Sequence, residues 1–281
     1  MRLKLSALRK KFNPFGDSSQ WRDGIPPSLG SGDAKVITRL LNKVKRENMV
    51  VLEVGSWVGN GSTRVITNAI RDSHGLLYCV DTWAGSENVP YHQEHRKRHS
   101  SFYEVFADNV RTYNGQDIVR PLVMPSTEAC TLFPDRSLDL VFIDGNHGYS
   151  YVKQDVLAWL PKIKLGGIIC GHDCDASYAE LDPKLRAESD SHVEEDYYRN
   201  TAYPGPPAFH AGVVKAVYEV LGGKAKLWFK SKRSTSVWSY RPGTALDRLR
   251  VSVGCCAPAS QEGLASGDKA WPKPTPWPAA S

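Results

Sequence analysis

The stretch that decides the fold spans residues 49–63 and reads M-V-V-L-E-V-G-S-W-V-G-N-G-S-T. Its first half, residues 49–54, is a short apolar run rich in β-branched side chains, which is typical of a strand buried on both faces of a parallel sheet. Glycines follow at positions 55, 59 and 61, and a helical segment begins at position 62. This combination indicates a ligand site, because glycines let a ligand approach the backbone and the N–H groups of a helix start point towards it. The alternative is a glycine-rich turn that binds nothing.

The glycine spacing indicates which ligand to expect. A dinucleotide site requires G-x-G-x-x-G, whereas this turn has G-x-x-x-G-x-G. Glu53 lies two residues before the first glycine, where a carboxylate would repel a pyrophosphate and would suit a cationic amino-acid end. The pattern E-x-G-x-x-x-G resembles the first motif of class I S-adenosylmethionine (SAM)-dependent methyltransferases. The resemblance implies that the cofactor-binding residues of this turn are Glu53, Gly55, Ser56, Gly59 and Ser62.

A second short apolar strand, residues 76–81, ends in an acidic residue, Asp81. Cofactor-binding α/β folds place a carboxylate on the ribose hydroxyls about 20 residues beyond the glycine turn, so we expect Asp81 to bind the ribose. The alternative is a helix or loop cap. Thr82 and Trp83 follow, and Trp83 offers a face for the adenine. In the methyltransferase resemblance, Ser126 and Thr127 lie where a loop touches the adenine.

Five apolar runs alternate with helical patterns, and a pair of short strands closes the sequence of elements. The strands are predicted at residues 49–54, 76–81, 118–123, 138–143, 164–170, 225–230 and 236–240. This alternation predicts an α/β fold with a mostly parallel sheet. The methyltransferase resemblance implies the Rossmann-like, seven-stranded sandwich with a closing antiparallel hairpin.

The chain divides into three regions. Residues 1–32 form a basic N-terminal extension, and residues 33–242 form the methyltransferase domain, with an insertion at 175–207 that is expected to act as a lid. A disordered surface loop is the alternative for the insertion. Residues 243–281 lose periodicity and are rich in proline near their end, which predicts a disordered and dispensable tail.

A second group of polar residues follows the fourth and fifth predicted strands. Asp144 comes directly after residues 138–143, and His172 and Asp173 come directly after residues 164–170. Ligands collect at the carboxyl ends of adjacent parallel strands, so these side chains are expected in one crevice. Two carboxylates and an imidazole suit Mg²⁺, Mn²⁺ or Ca²⁺ better than zinc. A zinc site of Cys170, His172 and Cys174 is the alternative, but no C-x-x-C pair supports it.

Three longer segments resemble one branch of the class I methyltransferases. They read I-D-G-N-H-G-Y-S-Y-V-K-Q-D from residue 143, L-G-G-I-I-C-G-H-D from residue 165 and A-G-V-V-K-A-V from residue 211. The branch includes macrocin- and mycinamicin-type sugar O-methyltransferases and cephalosporin hydroxylase-like proteins. The resemblance implies Mg²⁺ (or Mn²⁺) held by Asp144, His172 and Asp173, and implies catalytic roles for Asp144 and for His147 as general base. Asp144 would also contact the cofactor. His172 stands where some relatives have an acidic residue, which is a departure from the family pattern. For His147, the alternative to a general base is a structural loop histidine.

The bulk properties exclude several classes of protein. The chain has 281 residues, a net charge of +6 and six cysteines without a disulfide framework, which predicts a cytoplasmic protein with reduced thiols. No apolar run reaches transmembrane length, and the charge is too mild to predict nucleic-acid binding. Residues 1–16 form a short basic amphipathic pattern that suits contact with a membrane surface, with a solvated helix as the alternative. The oligomeric state stays open, a homo-oligomer included.

These observations together predict a metal-assisted SAM-dependent O-methyltransferase that acts on a hydroxyl of a sugar or another polar small molecule. The rival enzymes are a metal-independent methyltransferase acting on nitrogen or carbon and an RNA 2′-O-methyltransferase, whose K-D-K-E tetrad is not found here. A Rossmann dehydrogenase and a non-catalytic SAM-binding module are the alternatives from other classes.

Overall fold

The central element of the molecule is a β-sheet. The computed structural model describes residues 29–85, 90–99, 101–228, 236–243 and 271–278. In these residues the strands are β1 Val50–Val54, β2 Leu76–Asp81, β3 Val119–Val123, β4 Leu138–Ile143, β5 Ile163–Gly171, β6 Tyr198–Arg199, β7 Ala208–Phe209, β8 Lys226–Leu227 and β9 Trp238–Tyr240. Residues 1–28, which contain the predicted membrane-surface pattern, lie outside the described part of the chain.

Helices connect the strands and cover the sheet. In the described residues they are α1 Ser31–Val44, α2 Ser62–Ile70, α3 Pro90–Arg96, α4 Phe102–Thr112, α5 Ser126–Ala129, α6 Tyr149–Trp159, α7 Pro183–Ser189 and α8 Ala211–Val220. None of these helices has the length and apolar character that a bilayer crossing requires.

Seven strands form one sheet in the order β3-β2-β1-β4-β5-β9-β8. The first five are parallel to their neighbours, and β9 runs antiparallel to both β5 and β8. Strands β6 and β7 form a separate antiparallel pair within the region after β5. The predicted fold class, a Rossmann-like and mostly parallel sheet with a closing antiparallel hairpin, is confirmed.

The central strands are buried along their whole length, as their unbroken apolar runs predict. All five residues of β1 and all six residues of β4 are buried. Apolar side chains of α1, α2 and α4 form the core on one face of the sheet, and those of α5, α6 and α8 form the core on the other face. The carboxyl ends of β1, β4 and β5 therefore open onto a crevice whose floor is rigid.

Two segments for which the sequence allows or predicts disorder have defined structure. The insertion at residues 175–207 contains α7 and β6, and it packs on the domain through Leu185 and Tyr198, both of which are buried. In the tail, residues 271–278 lie along the outer edge of β3, where Thr275 N donates to Pro121 O at 2.6 Å. Their proline content excludes regular helix or strand, but it does not exclude packing by two tryptophan rings, Trp271 and Trp277.

The cysteines of the described residues form no disulfide. Cys79, Cys170 and Cys174 are buried free thiols, and Cys130 is a half-buried one. Burial raises the pKa of the Cys79, Cys170 and Cys174 thiols above the ordinary value, so these side chains act as apolar core residues. Cys255 and Cys256 lie outside the described residues.

Candidate active site

The site forms where three neighbouring strands end. In the sheet register Val54 pairs with Ile143, and Ile143 pairs with Gly171. The next residues continue the same hydrogen-bond ladder, because Asp144 N donates to Val54 O at 2.8 Å and His172 N donates to Ile143 O at 3.1 Å. The carboxyl ends of parallel strands meet at one sheet edge, and the predicted polar side chains consequently lie together.

The glycine turn after β1 is shaped by contacts within the protein. Gly55 has a φ of 81°, and a Cβ at this position would lie 2.1 Å from the carbonyl oxygen of Asp144. Gly59 has a φ of 71°, and its Cβ would lie 2.7 Å from the ring of Phe106. Both positions require glycine because of the left-handed backbone and the close approach of neighbouring atoms. The missing Cβ atoms therefore serve internal packing first, rather than directly opening space for a ligand.

Glu53 carries an unpaired oxygen in a buried position. Its Oε2 accepts hydrogen bonds from Ser56 Oγ at 2.7 Å and from Thr63 Oγ1 at 2.6 Å, while its Oε1 has no partner. Burial raises the pKa of Glu53, and the hydrogen bonds from Ser62, Thr63 and Ser56 oppose that rise. A buried acceptor without a partner is costly, so a cationic donor such as an ammonium group fits this oxygen.

Asp81 joins the glycine turn to the end of β2. Its Oδ2 accepts a hydrogen bond from Trp57 N at 2.9 Å, and its Oδ1 accepts one from Trp83 N at 2.8 Å. Burial raises the pKa of Asp81, and these backbone hydrogen bonds oppose the rise. The backbone N–H groups of Ser56 and Thr82 also stabilise this carboxylate, and its place beside the glycine turn suits the hydroxyls of a ribose. The predicted cap role and the predicted ribose role are therefore compatible.

The positions of the residues that the sequence predicts at the adenine suit that contact less well. The Trp83 ring is 6% exposed and packs against Tyr103 and Phe106, with its Nε1 donating to Trp57 O at 2.6 Å. This position favours a packing role over the predicted adenine contact. Thr82 and Thr127 are exposed, and Ser126 Oγ accepts a hydrogen bond from Trp159 Nε1 at 2.8 Å.

The predicted metal-binding residues form a tight group. His172 Nδ1 lies 3.0 Å from Asp173 Oδ1 and 3.7 Å from Asp144 Oδ1. One ligand atom from each of these three residues lies within 4.8 Å of the others, which a single cation could bridge. The donor set, two carboxylates and one imidazole, fits a divalent cation. Asp173 also has a left-handed backbone, with a φ of 58°, a conformation that is uncommon for residues other than glycine.

Two further residues hold His172 from behind, and the sequence analysis missed both. His172 Nε2 lies 3.1 Å from Ser236 Oγ and 3.5 Å from Asp33 Oδ2. Asp33 lies in the first turn of α1 and accepts a hydrogen bond from Ser236 N at 3.1 Å. From the sequence, the position of Asp33 near a helix start suggests only a capping role. In the structure Gly30 is the N-cap residue, and it makes no side-chain cap hydrogen bond. With Nε2 engaged, His172 presents Nδ1 to the crevice.

Charge coupling within the group is strong. Burial raises the pKa of Asp144 to about 7, with His172 opposing and Asp173 reinforcing the rise. Burial alone would raise the pKa of Asp173, but His172 and His147 outweigh it and hold the pKa well below the ordinary range. Burial would also lower the pKa of His172, and Asp173 and Asp144 reverse this and raise it well above the ordinary value. At neutral pH the group therefore contains an ionised Asp173 between cationic imidazoles.

His147 lies between two carboxylates. Its Nε2 is 3.1 Å from Asp173 Oδ2, and its Nδ1 is 2.7 Å from Asp196 Oδ1. Burial would lower the pKa of His147, but hydrogen bonds to Asp173 and Asp196 outweigh it and raise the pKa to about 10. The imidazole is consequently protonated in this arrangement, and both of its nitrogens donate.

A second histidine, not identified from the sequence, completes the crevice. His210 Nδ1 lies 3.0 Å from Asp175 Oδ2, and the His210 and His147 rings pack edge to face at 4.6 Å. One ligand atom each of His147, Asp173 and His210 also lies within 4.8 Å of the others. The only sequence signal for His210 is its position immediately before α8, which by itself indicates a helix boundary. Asp196 and Tyr197 of the insertion reach the same crevice.

Comparison with known proteins supports a function for this site. Residues 52–174 match a family model described as a methyltransferase domain. An uncharacterized protein of Sinorhizobium fredii, y4gI, is 31% identical over 98 residues, which are 35% of this chain and 10% of that protein. The chain thus matches about a tenth of the length of this curated relative.

Solved structures of similar architecture have low sequence identity. A Corynebacterium glutamicum protein has a TM-score of 0.48 and 12% identity, with 78% of this chain and 83% of that chain covered. A SAM-dependent O-methyltransferase from Thermotoga maritima has a TM-score of 0.45 and 12% identity, covering 76% of this chain and 66% of that chain. A geranyl diphosphate C-methyltransferase from Streptomyces coelicolor, solved with Mg²⁺, geranyl diphosphate and S-adenosyl-L-homocysteine, has a TM-score of 0.40 and 11% identity, covering 68% and 60%.

The matched residues run from β1 to the region just after β5, and they include Glu53, Asp81, Asp144 and Asp173. They span the glycine turn and the three strand ends that form the crevice. Residues 52–174 of this chain therefore match a methyltransferase domain, and they lie on a mostly parallel, Rossmann-like α/β sheet.

Proposed function

We propose that this protein is a SAM-dependent O-methyltransferase that uses a divalent cation and acts on a hydroxyl of a sugar or another polar small molecule. The observation that carries the proposal is the half-buried group of Asp144, His172 and Asp173, which lies at the strand ends beside the glycine turn. The resemblance of the D-G-N-H and G-H-D segments to the macrocin- and mycinamicin-type sugar O-methyltransferases supports the choice of acceptor.

The cofactor end of the site consists of Glu53 and Asp81. SAM supplies, when bound, a sulfonium methyl group that an acceptor oxygen can take, with S-adenosylhomocysteine as the leaving group and the hydroxyl proton passing to a base. Glu53 would hold the ammonium end of the methionine, because its buried Oε1 lacks a hydrogen-bond partner. Asp81, which accepts from Trp57 N and Trp83 N, would hold the ribose hydroxyls. We propose that the remaining contacts of the turn with the cofactor come from backbone groups of Gly55, Ser56, Gly59 and Ser62.

The acceptor end of the site consists of Asp144, His172 and Asp173. A divalent cation, Mg²⁺ or Mn²⁺, would supply Lewis acidity that lowers the pKa of the acceptor hydroxyl. Asp144 and Asp173 would hold it through carboxylate oxygens. His172 would hold it through Nδ1 after that nitrogen has released its proton, since its Nε2 faces Ser236 and Asp33.

We assign proton removal to His147, on the condition that its imidazole first loses the proton that Asp173 stabilises. An imidazolium with a pKa of about 10 cannot accept a proton at neutral pH. Its pKa depends on Asp173, and engaging that carboxylate elsewhere weakens the bond that stabilises the charged ring. His147 therefore becomes a base only once Asp173 is committed to another partner, and Asp196 then keeps the ring oriented through Nδ1.

The insertion at residues 175–207 contributes to the acceptor side, and we propose that it acts as a lid. Asp196 and Tyr197 from this insertion lie against His147 and His210. Polar and aromatic groups at the mouth of the crevice suit a hydroxylated acceptor, because they combine hydrogen bonding with stacking on a sugar ring.

A metal-independent mechanism is the second candidate, and one observation favours it. His147 and His172 already contact Asp173 at 3.1 and 3.0 Å, so cationic imidazoles can balance the carboxylate charge without a cation. In that case His147 and Asp173 act as a dyad on the acceptor.

Methyl transfer from labelled SAM to a panel of sugars and other hydroxylated acceptors, with Mg²⁺ and with EDTA, tests the proposal. We expect transfer to a hydroxyl that EDTA abolishes and Mg²⁺ or Mn²⁺ restores. Asp144→Asn should lose transfer while SAM binding falls much less, and Asp135→Asn, at an exposed position, is the matched control. Full turnover by the metal-stripped enzyme would instead support the metal-independent mechanism, and transfer only to nitrogen or carbon would exclude the proposed acceptor class.

A further inference from the structure

A cationic cavity lies on the side of α1 away from the candidate active site. It has a volume of about 460 Å³ and lies between α1, β5 and the closing strands β8 and β9. Its lining includes four cations, Lys43, Lys224, Lys226 and Arg241, and the ring of Trp228. No carboxylate is among the lining residues that the structure describes.

This cavity is separate from the methyltransferase crevice. Asp33, at the start of α1, contacts His172, whereas Lys43 lies ten residues later on the same helix. Ten residues correspond to about 15 Å along a helix axis. Ile168 and Tyr240 line the cavity from the middle of β5 and from the end of β9, not from the strand ends that form the crevice.

Trp228 organises the cations around the cavity. Its ring Nε1 donates to Ser239 Oγ at 2.9 Å, and its backbone N donates to Val237 O at 3.0 Å. Lys226 Nζ lies 4.1 Å from the ring centroid, and Lys43 Nζ and Arg39 Cζ each lie 5.3 Å from it. Such cation–π contacts stabilise each cation individually, but they also bring three positive charges to one ring.

The result is a concentration of like charge. Partial desolvation lowers the pKa of Lys43, whose side chain is exposed, and the nearby cations Lys226, Arg39 and Arg241 lower it further. Solvent weakens the repulsion between such exposed charges, but an anion in the cavity would balance several of them at once.

We infer that this cavity, formed by Lys43, Lys226, Arg241 and Trp228, binds a phosphate-bearing anion. Cations converge from a helix and from two strands, so a multivalent group such as a diphosphate satisfies more of them than a single carboxylate does. The volume falls within the range of about 300–1,000 Å³ that is typical of small-molecule sites. The diphosphate could belong to a free phosphorylated metabolite, or a phosphate could belong to a lipid headgroup. The proposal does not depend on the methyl acceptor.

Calorimetric titration of inorganic pyrophosphate into the full-length protein tests the inference. The wild type should bind, and Lys43→Ala should weaken binding by about tenfold or more, the effect expected on losing one charge-assisted contact. Lys35→Ala is the matched control, because Lys35 is an exposed lysine on the same helix and makes the same change in net charge. Equal weakening in both variants would overturn the site, because it would mean that only net charge matters. Absence of pyrophosphate binding and of the vesicle binding described below would also overturn it.

Thermal unfolding gives an independent readout. Pyrophosphate should raise the melting temperature of the wild type and of Lys35→Ala more than that of Lys43→Ala, each compared with the same variant without an anion. An equal rise in all three proteins would contradict the inference. Phosphatidylcholine vesicles with phosphatidic acid form the second arm. Vesicle binding that depends on Lys43, without pyrophosphate binding, would assign the phosphate to a lipid headgroup.

Discussion

At the residue scale, Asp173 is the side chain on which the charge balance of the crevice depends. It contacts His172 at 3.0 Å and His147 at 3.1 Å, and it belongs to both three-residue groups that could hold a metal ion. Any partner that engages this carboxylate therefore changes the protonation of two histidines at once. That coupling gives the site a way to bring His147 into its basic form only in the loaded enzyme.

Replacing Asp173 by asparagine should separate these roles. We expect Asp173→Asn to reduce methyl transfer by orders of magnitude and to lower the pKa of both His147 and His172, because each imidazolium loses its carboxylate partner. NMR titration of the histidine side chains measures the pKa shift, and Asp135→Asn is the control. Unchanged histidine titration would remove Asp173 from the centre of the network.

The raised pKa of His147 also predicts a pH dependence of stability. A group whose folded-state pKa of about 10 exceeds its ordinary value of 6.5 stabilises the fold fully below pH 6.5, and it loses that contribution as the pH rises towards 10. The free energy of unfolding should therefore fall more between pH 7 and pH 10 for the wild type than for His147→Gln. Chemical denaturation at several pH values checks this, with His74→Gln at an exposed histidine as control. Parallel curves for wild type and His147→Gln would contradict the assigned ion pairs.

Asp81 carries a prediction about the cofactor. Asp81→Ala should weaken SAM binding by about 1–3 kcal/mol, because it removes charge-assisted hydrogen bonds to the ribose and also releases the N–H groups of Trp57 and Trp83. Calorimetry measures the loss, and Asp117→Ala, at an acid far from the turn in sequence, provides the control. An unchanged dissociation constant would exclude Asp81 from the cofactor site.

At the element scale, residues 271–278 show how a segment without periodicity can still pack. Val123 N donates to Thr275 Oγ1 at 3.0 Å, and Tyr103 Oη donates to Pro276 O at 2.7 Å. The Trp277 ring stacks on Phe106, which also contacts Trp83 behind the predicted ribose residue Asp81. The segment covers an otherwise open sheet edge and supports the floor of the cofactor side.

Removal of this segment should consequently destabilise the domain. We expect truncation after residue 243 to lower the melting temperature, in contrast to the dispensable tail that composition predicts. Trp277→Ala should lower the free energy of unfolding by about 1–3 kcal/mol, since the ring is half-buried and loses its packing on Phe106. Lys273→Ala, exposed in the same segment, is the control. Identical melting temperatures for the full and truncated chains would show that the edge contact contributes nothing.

At the scale of the whole molecule, sequence periodicity predicts the sheet and places the main acids at its strand ends. β2 and β4 begin and end as predicted. Asp144 and His172 follow adjacent strands, β4 and β5, and parallel pairing places the carboxyl ends of both strands at the same edge of the sheet. The contacts of His172 with Asp33 and of His147 with Asp196 could not be predicted in this way. They join loops and helix starts distant in sequence, where neither helical nor strand periodicity constrains the side chains.

The same distinction explains the remaining differences. Trp83 follows a strand end, as a cofactor-contacting residue would, but its left-handed backbone at a φ of 48° turns the ring into the core. The sequence predicts that Gly55 and Gly59 let a ligand approach the backbone. In the structure their close neighbours are the Asp144 carbonyl and the Phe106 ring, which tertiary packing brings there.

The most direct test of the account is the calorimetric titration of SAM and of NAD into the full-length protein and into Glu53→Gln. The account predicts that SAM binds to the wild type, that NAD does not, and that Glu53→Gln weakens SAM because the buried carboxylate that faces the ammonium group is neutralised. Binding of NAD in competition with SAM, or SAM affinity unchanged in Glu53→Gln, would contradict the assignment of the glycine turn as the SAM site.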